Sequence, residues 1–278
     1  MEAIATPPSV RLYQLAYSEE SLARIEPGYL VLNNLENSRP DWYEYWAIRR
    51  FLLNETLDDD AFYAFFSPKF GSKTGLTHAQ ITNYVQAHAA STDVCIFSPQ
   101  PDMGAFFLNV FEQGETFDPG LIDAFCAFLE SQGQPAPQLR TMVMDSRQVV
   151  FSNYFVARPA FWREWLKLNE AMFAICEGPD TPLRQSLTKT TTYPGAAQRK
   201  VFLMERVASF ILATQPQWRT RAADPFNFGW SSTRFSDFPN EAFISDALKI
   251  AYREQGYPEY IRAYAQVRAR FVAGQAIA

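Results

Sequence analysis

Apolar positions along the chain recur with two spacings, and the changeovers between them mark the elements. Alternating or continuous apolar runs predict strands over 10–17 (VRLYQLAY, ending in the polar SEES), 29–35 (YLVLNNL), 61–67 (AFYAFFS, closed by Pro68) and 93–99 (DVCIFSP). A 3.6-residue spacing predicts a helix over 41–54, with Tyr45, Ile48, Phe51 and Leu52 on one face, and another over 77–90, with Ile81, Tyr84, Val85 and His88. A third helix is read over 117–133, with Pro119 near its start and Gly133 after its end, followed by QPAPQ as a turn. Residues 140–157 read as strand, turn, strand. Pro159 then starts a helix over 159–176, whose Phe161, Trp165, Leu168 and Met172 form a buried stripe. A helix follows over 198–214. Residues 215–240, rich in Pro, Trp, Phe and Asn without a period, read as an ordered wrapping loop before helices over 241–255 and 258–273.

Strands alternating with helices predict an α/β fold: a mostly parallel, Rossmann-like sheet flanked by helices, with a helical C-terminal tail. No linker interrupts it, so 1–214 is read as the α/β core and 215–278 as a loop and helices packed on it within the same domain. In such sheets ligands bind beyond the carboxyl ends of the strands. That directs attention to the loops 18–28, 33–41, 67–76, 98–106 and 145–153.

The net charge of −5 over 278 residues lacks the basic stripe of a nucleic-acid protein. Hydrophobic residues at 47 % provide for a large core, and most of the 24 Phe, 13 Tyr and 6 Trp belong to it, some being candidate ring platforms. Three scattered cysteines form no CxxC pair and point to a reduced, cytoplasmic setting. The start MEAIATPPSV has neither the charged nor the apolar region of a signal peptide, and no run approaches a membrane span. Peripheral contact with the inner face of a membrane stays compatible with this.

GxGxxG, a true P-loop and GxSxG are missing, and His78 and His88, ten apart on one helix, cannot form an HExxH pair. Six stretches remain. SPKFGSKTG (67–75) offers Lys69 and Lys73 with loop amides, either a solvated loop or a cradle for a diphosphate. Asn33 in LNNLEN follows a strand, as a turn residue or a ligand contact. Asp102 in PQPDMG and Asp145 in VMDSR end strands and are the candidate acids. LDDD (57–60) precedes a strand and reads as solvated acids. In VFLMERVASFIL (201–212), Glu205 and Arg206 interrupt an apolar run. A carboxylate there is either an internal ion pair or a group with a tuned pKa facing a cleft.

The order of WYEYWAIRRFL, FYAFFSPKF, SNYFVARPAFWREWLKLNEAMFAICE and MERVASFIL resembles bacterial glycosyltransferase-like proteins of GT-A type from polysaccharide and cell-surface glycan biosynthesis, in scattered blocks over 10–215. The resemblance implies a GT-A-like core over 1–214 and a glycosyltransferase that moves a sugar from a nucleotide-sugar donor to a glycan or lipid-linked acceptor. By it, Asn153 would face the sugar, Glu205 and Arg206 would match a Glu-Arg helix, and Lys69 and Lys73 would line the diphosphate path. Glu205 or Asp102 would act as base. The DxD motif that would hold Mn²⁺ or Mg²⁺ is missing. Asp145 is the nearest metal candidate, and without metal the lysines would meet the leaving diphosphate. Two other readings stand beside it: a non-catalytic binding or structural protein that keeps the fold, and a hydrolase using paired carboxylates on a sugar.

Overall fold

The computed structural model describes residues 7–135, 138–193 and 195–272. The first six residues, part of QPAPQ and the last residue of the expected closing helix fall outside them. The chain opens with β1 (Val10–Ala16), the short helix α1 (Glu19–Ala23), β2 (Leu30–Asn33) and α2 (Tyr43–Asn54). Then follow β3 (Phe62–Phe66), α3 (Phe70–Thr74), α4 (His78–His88), β4 (Val94–Ile96), α5 (Pro101–Ala105), α6 (Val110–Phe117) and α7 (Leu121–Ser131). The second half holds β5 (Phe155–Ala157), α8 (Pro159–Glu177), α9 (Pro182–Thr188), α10 (Arg199–Thr214), β6 (Thr220–Ala222), α11 (Pro239–Gln255) and α12 (Pro258–Val272).

The strands form one six-stranded sheet in the order β2-β1-β3-β5-β4-β6. β1 pairs in parallel with β2 and β3, and β4 with β6, while β5 runs antiparallel to both β3 and β4. This is the mixed, mostly parallel sheet flanked by helices, with a helical C-terminal region, that the sequence predicts. The strand expected at the start of 140–157 is a turn-rich segment instead. Its Asp145 and Val150 are buried by loop contacts rather than by ladder pairing: Ser209 Oγ accepts from Val150 N–H at 2.9 Å. β6 lies within the stretch expected to be wholly loop.

Each strand residue faces one of two cores, as the two-residue period of a strand requires. Leu15, Tyr63, Phe65, Ile96 and Phe155 face the larger core, built with Trp162 and Trp165 of α8 and with α2, α7 and α10. Leu12, Phe62, Ala64, Phe66, Cys95, Tyr154 and Val156 face the smaller core, with Phe70 of α3 and with Ile81 and Val85 of α4. Every residue of β3, β4 and β5 is buried, because these central strands are apolar on both sides. The two tryptophans of α8 are fully buried, and Trp162 Nε1–H donates to the Tyr63 carbonyl at 3.0 Å, so α8 is bonded to the sheet as well as packed on it.

Candidate functional site

From β1 the chain passes to β2 on one side, and then back to β3 on the other. Connections that leave in opposite directions open a crevice at the carboxyl ends of the strands between them. The reversed β5 adds to this edge from the other direction. Because it is antiparallel, its amino end lies beside the carboxyl ends of β3 and β4, and the preceding residues 152–154 arrive there.

Ser152 and Asn153 both take left-handed backbone conformations, φ +58° and +54°. Two such non-glycine residues in succession are a local strain, eased at Asn153 by asparagine's tolerance of this region. The turn holds three side chains over the sheet edge. Tyr154 is fully buried and its hydroxyl shares a 2.7 Å hydrogen bond with Ser67, the residue that follows β3. Ser152 Oγ accepts from the Lys73 ammonium at 3.1 Å, and that ammonium lies 5.5 Å from the Tyr154 ring centre. Asn153 is 8 % exposed, and its amide oxygen is buried with no hydrogen-bond partner. A buried acceptor left empty is costly, so its natural complement is a hydroxyl or amine donor.

Glu205 faces this group from α10. The larger core supplies its surroundings, yet the side chain keeps some solvent access, and it has no hydrogen-bond or ion-pair partner among the described residues. Burial pushes its pKa up to about 7, the nearby charge of Glu44 adds to the rise, and Arg206 and Lys73 oppose it. Glu44, in the first turn of α2, is likewise half-buried and unpartnered. Lys73 is depressed by burial, against the pull of Glu205 and Glu44. No ion pair closes between the lysine and either carboxylate. Two carboxylates, an ammonium and an unfilled amide acceptor thus lie near one another at the sheet edge without satisfying one another.

The other sequence candidates lie elsewhere. Arg206, one residue on from Glu205, is turned about 100° around the helix. It is 6 % exposed, donates to the carbonyls of Val110 and Phe202 at 2.8 Å each and to Gln113 Oε1 at 2.6 Å, and rests where Gly114 leaves no side chain in its way. It joins α10 to α6. Asp102 is fully buried in α5, with both oxygens taken by Ser231, through its amide at 3.0 Å and through its hydroxyl. Asp145 is fully buried, held by the backbone and guanidinium of Arg147 at 2.8–2.9 Å and by Arg253 at 3.3 Å. Lys69 is exposed beside α3, and Asn33 is exposed with its amide oxygen on the Leu35 N–H at 3.0 Å, a turn contact. The 67–75 stretch is largely helix α3, so its amides are bonded within the helix rather than free for a phosphate.

The oxygens of Asp102 and Asp145 are already committed, and no group of three His, Cys, Asp or Glu side chains able to hold an ion occurs among the described residues. Asp145 does not fit a Mn²⁺ or Mg²⁺ site. Lys73 is the cation over the cleft.

Glu44, Ser152 and Tyr154 were not singled out from sequence. Glu44 reads as an ordinary acid in a helix's first turn, where the dipole favours it, and Tyr154 as one more strand aromatic. A small recess lies at the carboxyl ends of β4 and β6 between Ser98, Gln100, Ser146 and Asp246. Its polar groups are spent internally: Asp246 accepts from the Ser146 amide and hydroxyl at 2.8 and 2.7 Å, and Ser98 Oγ accepts from the Phe151 N–H at 2.9 Å.

The fold is that of a mixed α/β protein, with this group of polar side chains at the carboxyl edge of its sheet. No family model matches the chain, and no curated protein does. Among solved structures it is similar to the apo form of the bifunctional glycosyltransferase WbbM, at 13 % identity and a TM-score of 0.49, over 78 % of this chain. The chain spans 44 % of that protein's length. No helix among the described residues is long and apolar enough to cross a membrane.

Proposed function

We propose that the chain is a glycosyltransferase that uses a nucleotide-sugar donor and a glycan acceptor, with the chemistry centred on Glu205. The observation that carries this reading is an unpartnered carboxylate with its pKa near 7, facing an ammonium and an unfilled amide acceptor in the crevice at the sheet's carboxyl edge. A base tuned near the working pH takes a proton most effectively.

In this reading the acceptor hydroxyl attacks the anomeric carbon of the donor and passes its proton to Glu205. The bond from that carbon to the diphosphate oxygen breaks, and its electron pair leaves with the nucleoside diphosphate. Lys73, held by Ser152, meets the charge that develops on the leaving group. Asn153 accepts a hydrogen bond from a sugar hydroxyl. Asp102 and Arg206 serve as scaffold, and Lys69 and Asn33 lie at the rim.

Calorimetric titration with UDP-, GDP-, CMP- and TDP-sugars tests the binding step, and transfer assays on Glu205→Gln test the chemistry. The reading requires that at least one nucleotide sugar binds and that Glu205→Gln binds it but fails to transfer. If no nucleotide sugar raises the melting temperature, the donor assignment falls.

The pairing of Glu44 with Glu205 favours a second reading, hydrolysis of a glycosidic bond by two carboxylates, Glu205 the acid and Glu44 its partner. Release of free monosaccharide from a glycan without any nucleotide would select it.

A further inference from the structure

An open groove of about 600 Å³ runs along α12. Ile261, Ala265 and Ala269 follow one another at intervals of four residues and line it as one face of the helix. Leu108, just before α6, closes its far wall, and Arg262, Tyr264 and Arg268 supply its polar groups. A mainly apolar lining with a few polar groups, in this range of volume, is what a small-molecule site offers.

Two donors in the groove have no partner among the described residues. Tyr264 is 1 % exposed, and its hydroxyl is buried without a hydrogen bond. Arg268 Nε is also buried without one, although the same guanidinium donates through Nη1 to Glu112 Oε1 at 2.8 Å. The two side chains are neighbours one turn apart on the helix. Burial raises the Tyr264 pKa and Arg268 opposes the rise, but no hydrogen bond closes between them. The phenol therefore keeps its proton and can donate it. An oxygen acceptor would satisfy both groups at once, whereas an apolar helix laid in the groove would leave both unpaired.

Charge narrows the acceptor. The lining holds two arginines and no carboxylate. Glu112, beside Arg268, has both oxygens taken, one by that arginine and one by the Leu108 N–H at 2.6 Å. Glu259 meets Arg262 at 3.4 Å, and both side chains are about 70 % exposed, so water screens that pair. Behind Tyr264, Lys249 Nζ lies 5.9 Å from the ring centre and donates to the Gly104 and Phe107 carbonyls at 2.6 and 2.9 Å. These groups favour an anion. Two adjacent donors match the two oxygens of one carboxylate, while the second charge of a phosphate monoester would lie against Glu112.

We infer that this groove binds an aliphatic carboxylic acid, with its chain over Ile261, Ala265, Ala269 and Leu108 and its carboxylate on Tyr264 and Arg268. The inference is independent of the reaction proposed at Glu205. The full chain is titrated by calorimetry with decanoate below its micelle concentration, and in separate arms with decanol, acetate, decyl phosphate and decyltrimethylammonium. One decanoate binds per chain, and each of the others binds at least about tenfold more weakly. Ala265 is exposed, so Ala265→Trp fills the groove and abolishes binding with the urea midpoint unchanged. Tyr264→Phe weakens decanoate about tenfold or more, as expected when a charged acceptor loses a donor. Sedimentation of the unmodified protein and of Ala265→Trp records the state of association.

Failure of decanoate to bind overturns the inference. So does equal binding of decanol, of decyl phosphate or of the cationic amphiphile, or an unchanged affinity in Ala265→Trp. A dimer that Ala265→Trp dissociates assigns the groove to a second copy of the chain and overturns it as well.

Discussion

At the β4–β6 end of the sheet edge, Asp102, Asp145 and Asp246 are buried and every one is saturated by serine or arginine donors. At the β3–β5 end, Glu44 and Glu205 are only partly buried and have no donor among the described residues, and the Lys73 ammonium near them is bonded to Ser152 instead. The same residue chemistry at two ends of one edge therefore does two jobs. Where all lone pairs are used, the carboxylate is part of the scaffold. Where they are left open in a cleft, the cost of burial appears as a raised pKa, and the group is poised to exchange a proton. Glu205 and Arg206 repeat the contrast one residue apart.

The comparison breaks most sharply at Glu205. Glu205→Gln is expected to lower transfer by about a hundred- to ten-thousandfold, measured as initial rate at saturating donor, without loss of folding. Next is Arg206→Met, which leaves two carbonyls and Gln113 unpaired and lowers unfolding stability by about 3 kcal/mol in urea titration, with transfer per folded molecule unchanged. Asp102→Ala should cost about 2 kcal/mol, since the amide and hydroxyl of Ser231 lose their acceptor. Its activity loss is secondary, through the 229–231 segment, where the Gly229 N–H bonds the Lys73 carbonyl at 2.7 Å.

The pH dependence sharpens the distinction further. The Glu205 pKa is higher folded than unfolded, so the folded state holds the proton more tightly. Stability is full below the unfolded value of 4.5 and falls as pH rises towards about 7. Glu205→Gln removes that slope and gains on the order of 2 kcal/mol at pH 8 relative to pH 4, read from urea midpoints at the two pH values. Transfer activity of the unmodified protein rises over the same range as the carboxylate forms. The smallest effect is at Asn153. Asn153→Ala removes an acceptor with no partner but also asparagine's tolerance of the left-handed backbone, so stability falls by only about 1 kcal/mol while donor affinity falls severalfold by calorimetry.

Long periodic segments were legible because packing and period agree in them. α2, α8 and α10, and strands β1 to β4, lie where their apolar spacing predicts. The short helices α1, α3, α5 and α9 span five to seven residues, too few for a period to register; α1 and α9 are capped by Ser18 and Thr181, while α3 and α5 have no side-chain cap. The direction of β5 is invisible in sequence because it is decided by which neighbours it joins. Glu205 could be found as a carboxylate inside an apolar run. The same signal also picked out Arg206, because a buried ligand contact and a buried structural bond look alike until the partners are known. Glu44 had no signal, since its role comes from α10 lying across from it.

The placement of β5 also sets the order in which the chain can assemble during synthesis. It is the central partner of β3 and β4, yet Ile96 pairs with Phe155, about sixty residues further on, so closing this ladder is a slow, non-local event. Until residue 157 has left the ribosome, FYAFF and VCI each present an apolar edge with nothing to bond it. The turn that carries Ser152 and Asn153 forms in the same step, while Glu205 on α10 and the β6 partner of VCI arrive only about fifty to sixty residues later.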